Sequence, residues 1–518
     1  MSTHRGVARS AGVIGSLTAV SRVLGFVRDM VIAAAFGTGY AAEAFVVSFK
    51  IPNLLRDLVG EGAANAALVP VLTEYRQKRP AEYWGLVSTL LGVSAGVLLV
   101  LTAAGVLLAP QLVSLIAPGF TSSAEPEKYP LAVELTRWMF PYVFLIGLSA
   151  WAMGTLHSLG RFTASALGPI LLNVCMIIAG FALEPTYGPY ALVGGVLIGG
   201  ALQLICQLPA LWKAGFRYTP PGRSLEAAAR VGKLLVPRAL GSAIYQVNVF
   251  VDSILASFEH WVGLGGQSAL YYSNRLFQLP LALFGLSLAQ ALLPTFSAQI
   301  VQGRPDEMKK TLVFALRLVA MLVVPAAAGL IVLAGPIVRT IFERGEFDAY
   351  STDITSRALF CYGWGLVSCC VVKILVNAFY AMQDTRTPVR TMALCVALHV
   401  PLSLLLMRPL GIGGLTLSSS LSATLNAVLL YGALARRIGP LDTAALRDAA
   451  LKTLGCGALM AVTVLLADRH VLTPLEEASV TVRATALAAV IVAGGAVYFG
   501  ALAAAGYPEL SRLRRWRG

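Results

Sequence analysis

Leu86-Val-Ser-Thr-Leu-Leu-Gly-Val-Ser-Ala-Gly-Val-Leu-Leu-Val-Leu-Thr-Ala-Ala-Gly-Val-Leu-Leu-Ala109 runs for twenty-four residues without a charge. As a helix it reaches about 36 Å, enough to cross a hydrocarbon core of about 30 Å. Lipid offers no partner to a backbone N–H or C=O, so a run of this length survives there only as a helix. Outward from it, apolar runs broken by Pro, Gly and charge place fourteen candidate spans. They lie near 11–36, 41–72, 86–109, 131–157, 162–183, 189–212, 231–258, 267–300, 311–342, 354–382, 388–407, 411–435, 451–468 and 483–506. The chain reads as an all-α polytopic membrane protein.

Composition agrees. Of 518 residues, 57% are hydrophobic and 13% charged, with a mean hydropathy of +0.74. Soluble domains average about 25% charged. The net charge of +14 suits loops that face anionic lipid, and no DNA- or RNA-binding signature accompanies it, so no nucleic-acid partner is expected. The seven cysteines lie in apolar segments without paired spacing, which argues against disulfides or a zinc site. The absence of GxxxxGK[ST] and HExxH motifs argues against direct ATP use and zinc hydrolysis. The basic N-terminus leads into a first span read as retained, not as a cleaved signal peptide.

Loop charge sets the orientation. With the N-terminus inside, the inside segments hold twenty-two Lys and Arg, and the outside loops hold four: Lys128, Arg344, Arg408 and Arg469. Both termini are therefore expected in the cytoplasm. The long inside segment around Pro220, Pro221 and Gly222 separates six spans from six, as in a parallel repeat. The expected organisation is an N-terminal lobe over 1–218, a second lobe over 219–437, and two further spans with a basic tail over 438–518.

Ionisable groups inside spans are the informative ones, because an Arg at a helix centre costs about 2.5–3.5 kcal/mol on insertion scales. Spans one and two concentrate them: Arg22, Arg28 and Asp29, then Glu43, Lys50, Arg56, Asp57 and Glu61. Span seven has Arg238 and Asp252, span eight Arg275, span nine Arg317 and span ten Lys373. Glu43, Lys50 and Asp57 recur every seven residues on one helix face, and Arg22 and Asp29 share that spacing, so these signs can neutralise one another. Arg28 and Arg56 lie off those stripes, without an obvious local partner. By helical rise, Arg28, Lys50 and Arg275 each lie roughly 12–13 Å below the outer end of their span. Pro52 in span two, and Pro280 and Pro294 in span eight, allow bends nearby. Cations at one depth would suit an anionic cargo such as a diphosphate, because Arg offers paired planar donors to phosphate oxygens. Asp252 needs a partner, either Arg238 or a bound cation. Glu343, Glu346 and Asp348 read as a solvated acidic loop, and His4, His157, His260 and His470 as solvated end or loop residues.

Ser21-Arg-Val-Leu-Gly-Phe-Val-Arg-Asp29, Ala44-Phe-Val-Val-Ser-Phe-Lys-Ile-Pro-Asn-Leu-Leu-Arg56 and Glu61-Gly-Ala63 closely resemble the MurJ (MviN) family of lipid II flippases. Tyr271-Tyr-Ser-Asn-Arg275 and Gln383-Asp-Thr-Arg-Thr-Pro388 support the resemblance, which covers nearly the whole chain. It implies the fold of the multidrug/oligosaccharidyl-lipid/polysaccharide (MOP) exporter superfamily: two six-helix lobes around a central cavity, plus two helices forming a groove for a lipid tail. The implied cargo is lipid II, the undecaprenyl-diphosphate-linked peptidoglycan precursor. Implied cavity residues are Arg28, Asp29, Arg56 and Arg275, with Arg22, Glu43 and Glu61 at further matching positions; Lys50 joins them on depth. Asn274 and Gln278 stand where some members carry carboxylates. Asp252 matches one position of a sodium site, whereas His399 and Ser403 replace its usual amide or carboxylate.

The resulting expectation is a non-enzymatic, monomeric flippase working by alternating access among membrane lipids, with Na+ or H+ as the possible coupling ion at Asp252. The alternative is a cation-coupled exporter of another lipid-linked oligosaccharide or of drugs on the same fold; a cationic-drug exporter would show a net acidic cavity. A purely scaffolding protein would tolerate Leu at every midplane charge.

Overall fold

A computed structural model describes residues 2–56, 63–219 and 225–510. Within these, side chains are not described for 2–11, 13, 14, 55, 63–66, 225 and 236–245. The described residues are helical apart from turns and short connections. They form two compact units, Met1–Phe258 and Glu259–Gly518.

The first unit contains α1 (Ser2–Phe36), α2 (Tyr40–Arg56), α3 (Ala63–Lys78), α4 (Tyr83–Leu107), α5 (Ala109–Ile116), α6 (Lys128–Met139), α7 (Pro141–Ser158), α8 (Thr163–Ile178), α9 (Pro189–Ile205) and α10 (Leu225–Ala256). α1 and α9 pack on α8, α2 packs on α6, and α3 and α4 pack on α7. α10 lies against α3 and α4 in the same unit. The α8–α9 seam is tight because α9 presents glycine. A Cβ on Gly199 would stand 2.8 Å from the Leu172 Cα, and one on Gly195 3.1 Å from the Met176 Cα. Small residues four apart let helix backbones approach in lipid, where no hydrophobic force drives association. Span two is continuous through Pro52 to Arg56; Asp57 and Glu61 lie outside the described residues.

The second unit contains α11 (Gly266–Pro280), α12 (Ser287–Val301), α13 (Pro305–Val332), α14 (Ala334–Phe342), α15 (Ala349–Gly363), α16 (Leu366–Ala381), α17 (Arg386–Leu410), α18 (Ile412–Ile438), α19 (Thr443–Ala467) and α20 (Val480–Ala504). A π-helical stretch, Leu281–Leu286, joins α11 to α12 directly after Pro280, where proline removes a backbone donor. α18 packs on α15, α16 and α17, while α19 packs on α13 and α20. Arg317 of α13 is bound by the buried Glu509 at 3.0 Å, and the Tyr507 hydroxyl donates to the Arg317 carbonyl at 2.9 Å. This ties the chain beyond α20 back to the unit's core.

Among the described residues, ten helical segments are long and apolar enough to cross a membrane, and the α15–α16 pair makes an eleventh if counted as one span. Span ten, expected as one helix, bends by 47° between Gly363 and Leu366. There a Cβ on Gly365 would stand 2.8 Å from the Ser420 Cα, so α18 crowds the bend. Spans one, two and seven stand outside that count; each includes residues or side chains beyond those described.

The acidic loop departs from its expectation. Glu343 accepts from the Thr352 hydroxyl at 2.7 Å and from Arg339 Nε at 3.3 Å, and Arg483 lies 3.7 Å away. Asp348 caps α15 by accepting from the Ser351 N–H at 2.8 Å. Only Glu346 of the three acts as a simple solvated charge. His157, also read as solvated, is half-buried and bonded to the Ser165 hydroxyl at 2.9 Å.

Candidate functional site

In α1, Arg28 is 5% exposed and Asp29 is fully buried. Arg28 donates from Nε and Nη2 to Asp29 Oδ1, at 3.0 and 2.7 Å. Its Nη1 donates to Asn173 Oδ1 of α8 at 3.1 Å. Asn173 in turn donates from Nδ2 to the Ser21 carbonyl at 3.1 Å. This corrects the reading of Arg28 as lacking a local carboxylate. A search seven residues away passes over the next residue, which points about 100° around the helix but lies within reach of a long guanidinium. Arg22 is exposed on α1.

Glu43, at the start of α2, is buried against Lys128, whose Nζ lies 2.5 Å from Glu43 Oε2 and 2.9 Å from Glu125 Oε2. Lys128 also stands over the Phe120 ring at 5.3 Å. Read from sequence as a loop charge, Lys128 is the fully buried first residue of α6. One turn further along α2, the Ser48 hydroxyl donates to the Ala132 carbonyl at 2.8 Å and continues this polar seam.

Lys50 turns toward α10. Its Nζ donates to the Ser253 hydroxyl at 2.9 Å, and the neighbouring Asp252 carboxylate acts on it electrostatically. Asp252 thus has Lys50 as a charged neighbour; the side chain of Arg238 is outside those described. Arg56 is half-buried at the end of α2, and Glu61 lies outside the described residues.

In the second unit, Arg275 is half-buried on α11 with its guanidinium 5.5 Å from the Tyr271 ring centre. Gln278 Nε2 donates to Asn274 Oδ1 at 3.3 Å. His399 is buried with Ser403 and Ser418: the Ser418 hydroxyl lies 3.3 Å from His399 Nδ1 and 2.6 Å from the Ser403 hydroxyl. The Ser403 and Ser418 hydroxyls give the buried imidazole hydrogen-bond partners.

The first unit therefore unites Arg28 with Asp29, and places Lys50 beside Asp252. Sequence reasoning missed Asn173, Lys128 and Ser253. Asn173 had a signal, an amide inside an apolar span; Lys128 and Ser253 had none. Arg keeps its charge at any physiological pH, and a carboxylate presents oxygens much as a phosphate does. A buried Arg28–Asp29 pair can thus exchange one anion for another.

Known proteins match this architecture. Residues 32–484 match the family model described as lipid II flippase MurJ. The chain belongs to the MurJ family. Among its relatives, the lipid II flippase MurJ of Burkholderia cenocepacia is 37% identical over 440 residues, covering 83% of this chain and 84% of that protein. A probable lipid II flippase MurJ of Rhizobium meliloti is 34% identical, covering 97% of this chain and 94% of its own. The fold is similar to a solved lipid II flippase MurJ in an inward closed conformation, with a TM-score of 0.77, 24% identity, and 94% and 99% of the two chains covered. It is also similar to an inward-facing multidrug resistance MATE family transporter of the MOP superfamily, with a TM-score of 0.67, 16% identity, and 82% and 96% covered. At these identities the two structures speak for the fold, which is the one that the resemblance implies. MurJ proteins are transporters, not enzymes, and the chain is a multi-pass membrane protein of that family.

Proposed function

We propose that the chain flips lipid II from the cytoplasmic to the outer leaflet of the bacterial inner membrane by alternating access. The observation that carries this reading is the family match across residues 32–484. The buried cations add a physical reason, because an anionic headgroup needs fixed positive charge in a low-dielectric site.

In this proposal Arg28, Arg56 and Arg275 hold the diphosphate, with Asp29, Arg22, Glu43, Lys50 and Glu61 completing the polar lining. Asp29 and Asn173 hold the Arg28 guanidinium in the absence of cargo, and a diphosphate oxygen replaces the Asp29 carboxylate when the headgroup enters. That exchange keeps Arg28 matched with an anion throughout. Asp252 is the proposed site for Na+ or H+, with the coupling ion competing with Lys50 for its carboxylate. The proposal includes both termini in the cytoplasm and a monomer as the working unit. Depletion of the protein in its own cell tests the cargo: lipid II should accumulate on the cytoplasmic leaflet, and accumulation of a different lipid-linked intermediate would overturn the reading.

A further inference from the structure

A cavity of about 780 Å³ opens on the first unit between α4, α5 and α6. Its apolar lining includes Val106 of α4 and Val133 of α6. Three exposed side chains of α6 share the cavity: Glu134, Arg137 and Trp138, the last 57% exposed. They recur three and four residues apart, so they form one stripe on the helix. Tyr190, from the start of α9, interacts electrostatically with the Glu134 carboxylate. Arg137 has no ion pair among the described residues.

An exposed cation and carboxylate within a span are costly unless something polar meets them. Span four begins near residue 131, so Arg137 lies about 9 Å below its outer end, a depth from which a long guanidinium side chain reaches the headgroup layer. Trp prefers that same layer. Glu134 and Arg137 stand one turn apart, about 5–6 Å between Cβ atoms. That separation is of the order of the one between phosphate and amine in an ethanolamine headgroup.

We infer that this groove binds a membrane phospholipid with a zwitterionic, primary-amine headgroup: Arg137 receives the phosphate, Glu134 the ammonium, and the groove one acyl chain. Charge complementarity selects this occupant. An anionic glycerol headgroup leaves Glu134 unmatched, and a trimethylated amine cannot donate to it. The inference does not rest on the cargo reading, because none of these residues belongs to the proposed headgroup site.

Trp138 supplies the reporter. The full chain is reconstituted in bilayers containing phosphatidylethanolamine, phosphatidylcholine or phosphatidylglycerol with brominated acyl chains. The quenching due to Trp138 is isolated by comparison with Trp138→Phe. Phosphatidylethanolamine should occupy the groove on the order of tenfold more strongly than either other lipid, the effect of one charge-assisted contact. Glu134→Gln and Arg137→Gln should each remove most of that preference. Equal quenching by the three lipids in the unsubstituted protein, a preference for phosphatidylglycerol, or a preference that survives both substitutions would overturn the inference. The first two outcomes need no variant to fold.

Discussion

The guanidinium of Arg28 lies 2.7 Å from the carboxylate of Asp29, the next residue of the same helix, and the pair is buried. Removing one partner of such a pair leaves the other charged and desolvated, at a cost of about 3–5 kcal/mol. Asp29→Ala should therefore lower the melting temperature of the purified protein markedly. Arg28→Ala/Asp29→Ala should recover most of the loss while remaining inactive in transport. A loss in the double variant equal to the sum of the losses in Arg28→Ala and Asp29→Ala would mean that the pair carries no coupling.

Glu43 and Lys128 form a second buried pair, which binds α2 to α6. Lys128→Met takes the ammonium from between Glu43 and Glu125 and should cost stability in the same range of about 3–5 kcal/mol. Glu43→Gln/Lys128→Met should restore much of it. A thermal-shift series on the two single variants and the double variant measures the coupling directly. A silent Lys128→Met would remove Lys128 from the fold's essential contacts.

The α8–α9 seam should not accept a larger residue. Gly199→Val places branched atoms where a Cβ already stands 2.8 Å from the Leu172 backbone. Overpacking of this kind costs about 1–3 kcal/mol. Gly194→Ala, on the same helix but with open space at its Cβ, should be neutral. The comparison of folded yield after detergent extraction decides between them.

Asp384 predicts a pH dependence outside the spans. Its carboxylate accepts from the backbone N–H groups of Arg386 and Thr387, both at 3.0 Å, and from the Thr387 hydroxyl at 2.7 Å, and it pairs with Arg437. The hydrogen bonds from Thr387, chiefly its backbone N–H, hold the carboxyl below its ordinary 3.8. A depressed folded value gives stability that is present above the unfolded value and lost as pH falls through the folded one. Melting temperature should therefore fall more steeply below pH 3.8 in the unsubstituted protein than in Asp384→Asn. Parallel curves would show that this carboxylate is not the group responsible. At neutral pH, Asp384→Ala should cost about 1 kcal/mol, the size of a lost helix-start cap.

Much of the fold was legible because a bilayer imposes a length and bans unpaired backbone. Leu86–Ala109 falls within α4 and its continuation into α5 for that reason. The bend at Gly365 was not legible: the residue packed against it is Ser420, more than fifty residues away in α18. The site divides along the same line. Arg28, Asp29, Glu43 and Lys50 stand out because charge in an apolar run is costly wherever it occurs. Their partners do not, because Asn173, Lys128 and Ser253 are selected by helix packing, which no local pattern records. Lys128 shows the hazard most clearly, since a lysine just outside an apolar run reads as a loop charge whether it meets water or Glu43.

Lipid II translocation in proteoliposomes, with folded protein normalised by size-exclusion profile, is the most direct test of the central claim. Lipid II exposed on the far leaflet is measured with a membrane-impermeant enzyme that acts on its headgroup. The unsubstituted protein should translocate, and Arg28→Ala, Arg56→Ala and Arg275→Ala should each lose roughly 30-fold or more, the consequence of about 2–5 kcal/mol per charge-assisted contact. Arg→Lys at the same positions should rescue poorly, because an ammonium lacks the two-pronged donor, and Arg304→Ala should be silent. Full translocation by Arg28→Ala/Arg275→Ala would contradict the account, leaving these cations as structural charges and the anionic headgroup without a site.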